Sequence, residues 1–186
     1  MAPSLTSRDL ALVALLASLI SVGALVSVPM FGPVPLTFQV LFVLLSGLLL
    51  GARLGALSVI VYLAIGLVAP VYAQGAAGPG ALFGPAGGYL FGFVAAAWLV
   101  GYVAQRTGTR SAWGLAVAAL VGLVPIYVVG AAWLALQLGT GDLHVVVWGG
   151  VVQFLPGDTA KAVVAALVAR SLLSLPLDLP ALARSR

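Results

Sequence analysis

The feature that most constrains this chain is the near-absence of charge along long, unbroken apolar runs. Only 6% of its 186 residues are charged and 63% are hydrophobic. A soluble domain carries roughly a quarter charged residues, so water cannot cover this surface and lipid must. A spanning helix needs about 20 apolar residues, and the chain has room for about six. Backbone polar groups in lipid must pair internally, which leaves helices or a closed barrel. The runs show no alternation of period two, so the reading is an all-α membrane protein forming one integral membrane domain over residues 1–186. The spans fall at roughly 10–28, 35–51, 54–70, 86–105, 112–138 and 156–175.

Charge placement tests that count. Arg8 precedes the first span and Arg53 separates the second from the third. Arg106 and Arg110 separate the fourth from the fifth, and Arg170, Arg184 and Arg186 close the chain. An even number of spans puts every Arg on one side, which the positive-inside rule makes cytoplasmic, with both termini there. The opposite loops carry only Asp142 and His144, read as exposed loop residues. The N-terminal segment is too weakly charged, and the apolar run after it too long, for a cleaved signal. The pI near 10 does not signal nucleic acid, because the Arg residues stand singly. The tail from Pro176 reads as short and mobile.

Spans two, four and six run inward from the outer side, and each opens on a proline–glycine element. These are Phe31-Gly32-Pro33-Val34-Pro35, Phe83-Gly84-Pro85-Ala86-Gly87-Gly88-Tyr89 and Phe154-Leu155-Pro156-Gly157-Asp158. Pro suits a first helical turn, and three converging N-termini favour an anion through their dipoles and N–H groups. Loop termination alone would account for any one of them; three on one side point to a shared outer cavity. The loop from Tyr72 to Pro85 is uncharged. Val145 to Leu155 is either an outer lid or the first half of a helix broken at Pro156-Gly157.

Asp158 and Lys161 are the two ionisable residues placed inside a span, three apart and so on one helical face. Intramembrane charge marks a functional site or a pair facing the bundle interior. The pair could be structural glue, or Asp158 a helix cap; beside a Pro-Gly break at the outer end, it suits a ligand offering both donors and acceptors. Gln39, an amide that donates and accepts, could bind a ligand or only tie helices. Tyr89 could line the site or anchor at the interface. Gln74 could reach a ligand from the outer loop or be solvated. Trp98, Trp113, Trp133 and Trp148 read as anchoring or packing. Ala11, Ala14, Ala17, Ser18 and Ser21 give the first span a small-residue repeat, suited to a docking face or to bundle packing.

With no Cys, no Glu and one His, general bases and metal ligands are scarce. No G-x-x-x-x-G-K-[ST] loop, G-x-S-x-G or H-E-x-x-H occurs. This argues against an enzyme and against ATP hydrolysis by the chain itself.

In order and spacing, FGPVPLTFQ at 31–39, LFGPAGGYLFGF at 82–93 and FLPGDTAKAVVAAL at 154–167 resemble the BioY family. These are the biotin-specific substrate-binding (S) components of energy-coupling factor (ECF) transporters. The resemblance spans roughly residues 8–175. It implies a six-helix bundle of S-component type that captures biotin from outside in the plasma membrane. Biotin would be the transported substrate, and there would be no cofactor. It implies a transmembrane coupling subunit and two cytosolic ATPases as partners. It carries biotin contacts onto Asp158 and Lys161 of P-G-D-x-x-K, and onto Gln39 and Tyr89. An S component for thiamine or riboflavin, or an ion-coupled carrier using Asp158, are the alternatives.

Overall fold

The computed structural model describes residues 5–139, 142–176 and 179–180. Arg184, Arg186, the first four residues and much of the tail from Pro176 lie outside the described residues. The chain is mostly helical, as expected. Helix α1, Ser7–Leu25, starts on a capping box: Thr6 Oγ1 accepts from the Asp9 amide, and the Thr6 amide donates to Asp9. That box starts the helix three residues earlier than the apolar run suggested. A two-residue strand, β1 (Ser27–Val28), then pairs antiparallel with β2 (Leu36–Thr37) and closes the loop that holds Phe31 to Pro35.

Helix α2, Gln39–Gly66, is 28 residues long and reverses direction at Gly51, where φ is 77° and ψ is −178°. A straight helix of that length would hold its ends about 40 Å apart. Instead the Gln39 side chain donates to the Tyr62 hydroxyl, and Ser46 Oγ reaches the Gly55 carbonyl at 3.4 Å. Both pairs straddle Gly51. The element is therefore two antiparallel arms, 39–50 and 52–66. Among the described residues, five apolar helices thus give six segments. The sequence placed a short loop between spans two and three; the turn is in fact one glycine, in a backbone region open to glycine alone. The Gln105 side chain packs on Gly51 and accepts from the Ala52 amide at 3.2 Å.

The first arm covers only about 18 Å of a hydrocarbon layer of roughly 30 Å. Non-helical backbone at membrane depth survives only where protein or a cavity surrounds it. This arm meets the condition: it is packed against α1 and α4 and is buried along most of its length.

After a 3₁₀ turn at Ala73–Gly75 and short helix α3 (Gly78–Leu82), α4 runs over Gly87–Thr107 and ends on left-handed Gly108. Helix α5, Ala112–Leu138, starts on the Ser111 cap and ends on left-handed Gly139. Helix α6 (Leu143–Val147) leads through a π-helical turn at Trp148–Val152 into α7, Leu155–Ser174. Gln153 and Phe154 stay right-handed. Of the two readings of Val145 to Leu155, the broken helix is the one observed. Pro156 brings no N–H and crowds the carbonyl four residues back, so the bonding pattern fails just before it.

Helix α2 is central, packed against α1, α4 and α7, while α5 bridges α4 and α7. Leu15, Val22, Val128, Leu136 and Leu167 point outward, as a lipid-facing surface requires. The described arginines gather at one end. Gln105 meets Gly51, so Arg53 and Arg106 are neighbours in height, and Arg110 and Arg170 share one groove. Gly23, near the other end of α1, packs on Phe38 and Gln39, which leaves Arg8 at the arginine end too.

Candidate binding site

At the end opposite the arginines, a cavity of about 230 Å³ opens between the helices. Its walls come from all three proline–glycine elements. Pro33 to Thr37 form one side, with Gln39 and Val40 of α2. Gly84 to Ala86, with Tyr89, Leu90 and Phe93 of α4, form another. Phe154, the N-cap of α7, Asp158 of α7, and Ile126 and Tyr127 of α5 complete it. Tyr72, Ala73, Gln74 and Ala76 cover it from the loop after α2. The lining is mostly apolar with a few convergent polar groups, the usual composition of a small-molecule site.

The expected shared cavity is thus present, but the helix starts are less open than the sequence suggested. The Phe38 amide donates to the Gly23 and Val26 carbonyls, Gln39 to Thr37 Oγ1, Gly87 to Gly84, and Phe154 to Val151. Those N–H groups are engaged within the protein, which weakens the case for an anion held by helix ends. Polarity comes instead from side chains.

Asp158, 3% exposed, is the charged residue of the lining. Lys161 Nζ donates to its Oδ1 at 2.7 Å and the Tyr127 hydroxyl to its Oδ2 at 2.8 Å. Lys161 is buried one turn deeper, with Nζ 5.8 Å from the Phe38 ring centre, and it does not line the cavity. The expected pair is therefore formed, and it presents only its carboxylate. Neutralisation by Lys161 lets a carboxylate sit at this depth, while each carboxylate oxygen retains a second lone pair for a ligand donor.

Gln39 is also 3% exposed and lies on the lining. Its Oε1 accepts from Thr37 Oγ1 at 2.9 Å and its Nε2 donates to Tyr62. Its amide orientation is thus fixed from both ends. Tyr89 contributes its ring, since its hydroxyl donates to the Gly150 carbonyl at 2.7 Å and holds the π-helical turn. Gln74 lines the cavity from the cover, with a left-handed backbone (φ 59°) uncommon for a residue with a Cβ.

Several contributors were not singled out from the sequence. Tyr127 is the clearest. A tyrosine in the middle of an apolar helix needs a partner for its hydroxyl, which was the available signal, but its partner lies 31 residues away. Gln153 clamps the Phe31 backbone from both sides, accepting from its amide at 3.1 Å and donating to its carbonyl at 2.9 Å. Trp133, read as anchoring or packing, also donates to the Gly84 carbonyl at 2.9 Å, and Gln137 donates to the Phe83 carbonyl at 3.0 Å. These contacts tie the first and second proline–glycine loops to the helices beside them. Asp142 and His144 lie off the cavity, both exposed: Asp142 caps α6 and His144 stacks on Trp148. Trp98, Trp113 and Trp148 are exposed on the outside of the bundle.

The BioY family model matches residues 1–176. The biotin transporter BioY of Thermotoga maritima is 40% identical over 172 residues, covering 92% of this chain and 99% of that protein. The probable biotin transporter BioY of Pyrococcus horikoshii is 38% identical over 167 residues, covering 89% of this chain and 96% of that protein. Among solved structures, the S-component for biotin from an ECF-type ABC transporter superposes with a TM-score of 0.84 at 28% identity, covering 92% of this chain and 96% of that one. The architecture, the proline–glycine entrances around one cavity and the length of these matches lead to one conclusion: the chain belongs to the BioY family.

Proposed function

We propose that this chain captures biotin in the cavity and serves as the S component of an ECF-type transporter. The observation that carries the proposal is Asp158, buried on the cavity wall and held by Tyr127 and Lys161. Biotin's ureido ring offers two N–H donors and a carbonyl acceptor. A carboxylate fixed in that position accepts ureido N–H donors with charge-assisted bonds. The valerate carboxylate of biotin would repel Asp158, so the ureido ring points inward and the carboxylate toward the mouth. Gln39 and Tyr89 complete the ring's surroundings, the first through its amide and the second through its aromatic face. Lys161 sets the charge and aim of Asp158 from behind.

The arginine end faces the cytoplasm on this reading, with the cavity outside and both termini inside. Ala11, Ala14 and Ser18 lie on the exposed side of α1, while Ala17 faces the core. The hydroxyls of Ser18 and Ser21 are satisfied by the carbonyls four residues back. A smooth outward stripe of this kind suits close approach by a coupling subunit. Two cytosolic ATPases would then supply the energy, since this chain carries no phosphate loop.

Calorimetric titration of the detergent-purified protein with biotin tests the proposal, with thiamine and riboflavin as controls. Tight binding selective for biotin is expected. Absence of biotin binding by monodisperse, folded protein, or preference for either control, overturns it.

A further inference from the structure

At the arginine end, Arg110 and Arg170 line a single groove of about 460 Å³, together with Leu173, Ser174, Leu175 and Pro176. Arg110 stands just before the cap of α5, and Arg170 lies one turn before the end of α7. Both are exposed, and among the described residues neither makes an ion pair. None of the described lining residues is acidic. Two guanidinium groups facing one groove repel each other unless an anion lies between them. The rest of the lining is largely aliphatic, and Ser174 Oγ is engaged with the Ser171 carbonyl at 2.7 Å. The groove thus joins a doubly cationic rim to an apolar wall. Arg106, at the same end, is different: its guanidinium lies over the Tyr102 ring, 5.2 Å from the centre, and outside any such groove.

We propose that this groove holds the headgroup phosphate of an anionic phospholipid, with Arg110 and Arg170 as its ligands and the exposed Leu175 and Pro176 against the start of its chains. Guanidinium forks match phosphate oxygens in pairs. Basic pockets between spans on the cytoplasmic side are suited to anionic headgroups. The groove lies at the opposite end from the biotin cavity, so the two sites are tested independently.

Native mass spectrometry of the detergent-purified full chain, titrated with phosphatidylglycerol and separately with phosphatidylcholine, reads the site directly. The wild type should retain one phosphatidylglycerol in preference to phosphatidylcholine. The R110Q/R170Q variant should bind it roughly 30-fold more weakly, with biotin titration unchanged. The R53Q/R106Q variant removes the same charge from the same end and should keep the lipid. Equal retention of the two lipids, unchanged retention in R110Q/R170Q, or equal loss in R53Q/R106Q overturns the proposal. Displacement of the lipid by millimolar inorganic phosphate also overturns it, in favour of a free-anion site. Should R110Q/R170Q not elute as folded protein, the Arg110→Lys and Arg170→Lys variants keep the charge and remove the forked geometry. Weaker lipid retention in both supports the site, and wild-type retention overturns it.

Discussion

The first arm of α2 and helix α4 run side by side, yet their two ends are built on opposite rules. At the arginine end they touch backbone to backbone. A Cβ on Gly47 would lie 2.5 Å from the Ala97 carbonyl oxygen, and one on Gly101 would lie 2.3 Å from the Ala52 nitrogen. At the cavity end the same two helices carry Gln39, Val40, Tyr89, Leu90 and Phe93, and open space lies between them. Lipid gives helices no hydrophobic reason to associate, so close packing must hold them. Small residues supply that packing at one end and thereby let the other end stay apart. The buried charges, amide and tyrosine hydroxyls follow the same division, while the small hydroxyls of Ser46 and Ser58 are buried within α2. Gln39, Tyr62, Tyr127, Asp158 and Lys161 are buried toward the cavity end, each with a partner, and among the described residues no buried side-chain polar atom lacks one.

The contrast is best broken at Asp158. Asp158→Asn should weaken biotin binding roughly 100-fold, the scale of losing charge-assisted bonds. It should also destabilise the protein by about 3–5 kcal/mol, because Lys161 is left buried without its counter-ion. Titration and thermal unfolding read the two effects separately. Replacing both partners, as Asp158→Leu with Lys161→Met, should restore most of the melting temperature and none of the binding. Wild-type affinity in Asp158→Asn would remove the carboxylate from the site.

At the other end, Gly101→Leu forces a side chain into backbone contact and should cost about 1–3 kcal/mol of stability, seen as a lower melting temperature. A variant as stable as the wild type would mean that the arginine end is not the packed clamp described above. Tyr127→Phe sharpens the cavity side. It removes one donor to a carboxylate, so biotin affinity should fall about tenfold with little change in melting temperature. An equal loss in a ligand that makes no donor contact to Asp158 would point to a packing effect instead. The smallest effect is expected for Gln153→Ala, which frees the Phe31 backbone. Biotin dissociation should quicken about threefold to fivefold, on the scale of one or two exposed hydrogen bonds. Stopped-flow release measures it, and an unchanged rate would mean that this clamp does not gate the mouth.

Much of this was legible in advance because it depends on residue type alone. Helix α5 is a continuous apolar run punctuated by the Ser111 cap and left-handed Gly139, both of them signals of residue type. The turn inside α2 comes at Gly51, just before the loop expected between the second and third spans, because the backbone turns where glycine permits it. The Asp158–Lys161 pair was visible because three residues is a helical neighbour distance. Which of the two meets the cavity was not visible, since that depends on how α7 is rotated against α2 and α5. Tyr127 and Gln153 went unassigned for the same reason: their partners are 31 and 122 residues away.

The sequence by itself determined the solvent, the number of segments and the end at which charge collects. Those follow from transfer free energies summed along the chain, residue by residue. Only the tertiary structure decided that Asp158 faces the cavity while Lys161 faces Phe38, that Gln39 is pinned by Thr37 and Tyr62, and that Arg110 and Arg170 share one groove. Apart from the local Thr37–Gln39 bond, each of these depends on how separate helical segments meet. That geometry is fixed by how closely glycine and alanine let the helices approach, a property of the packed bundle that no single segment carries.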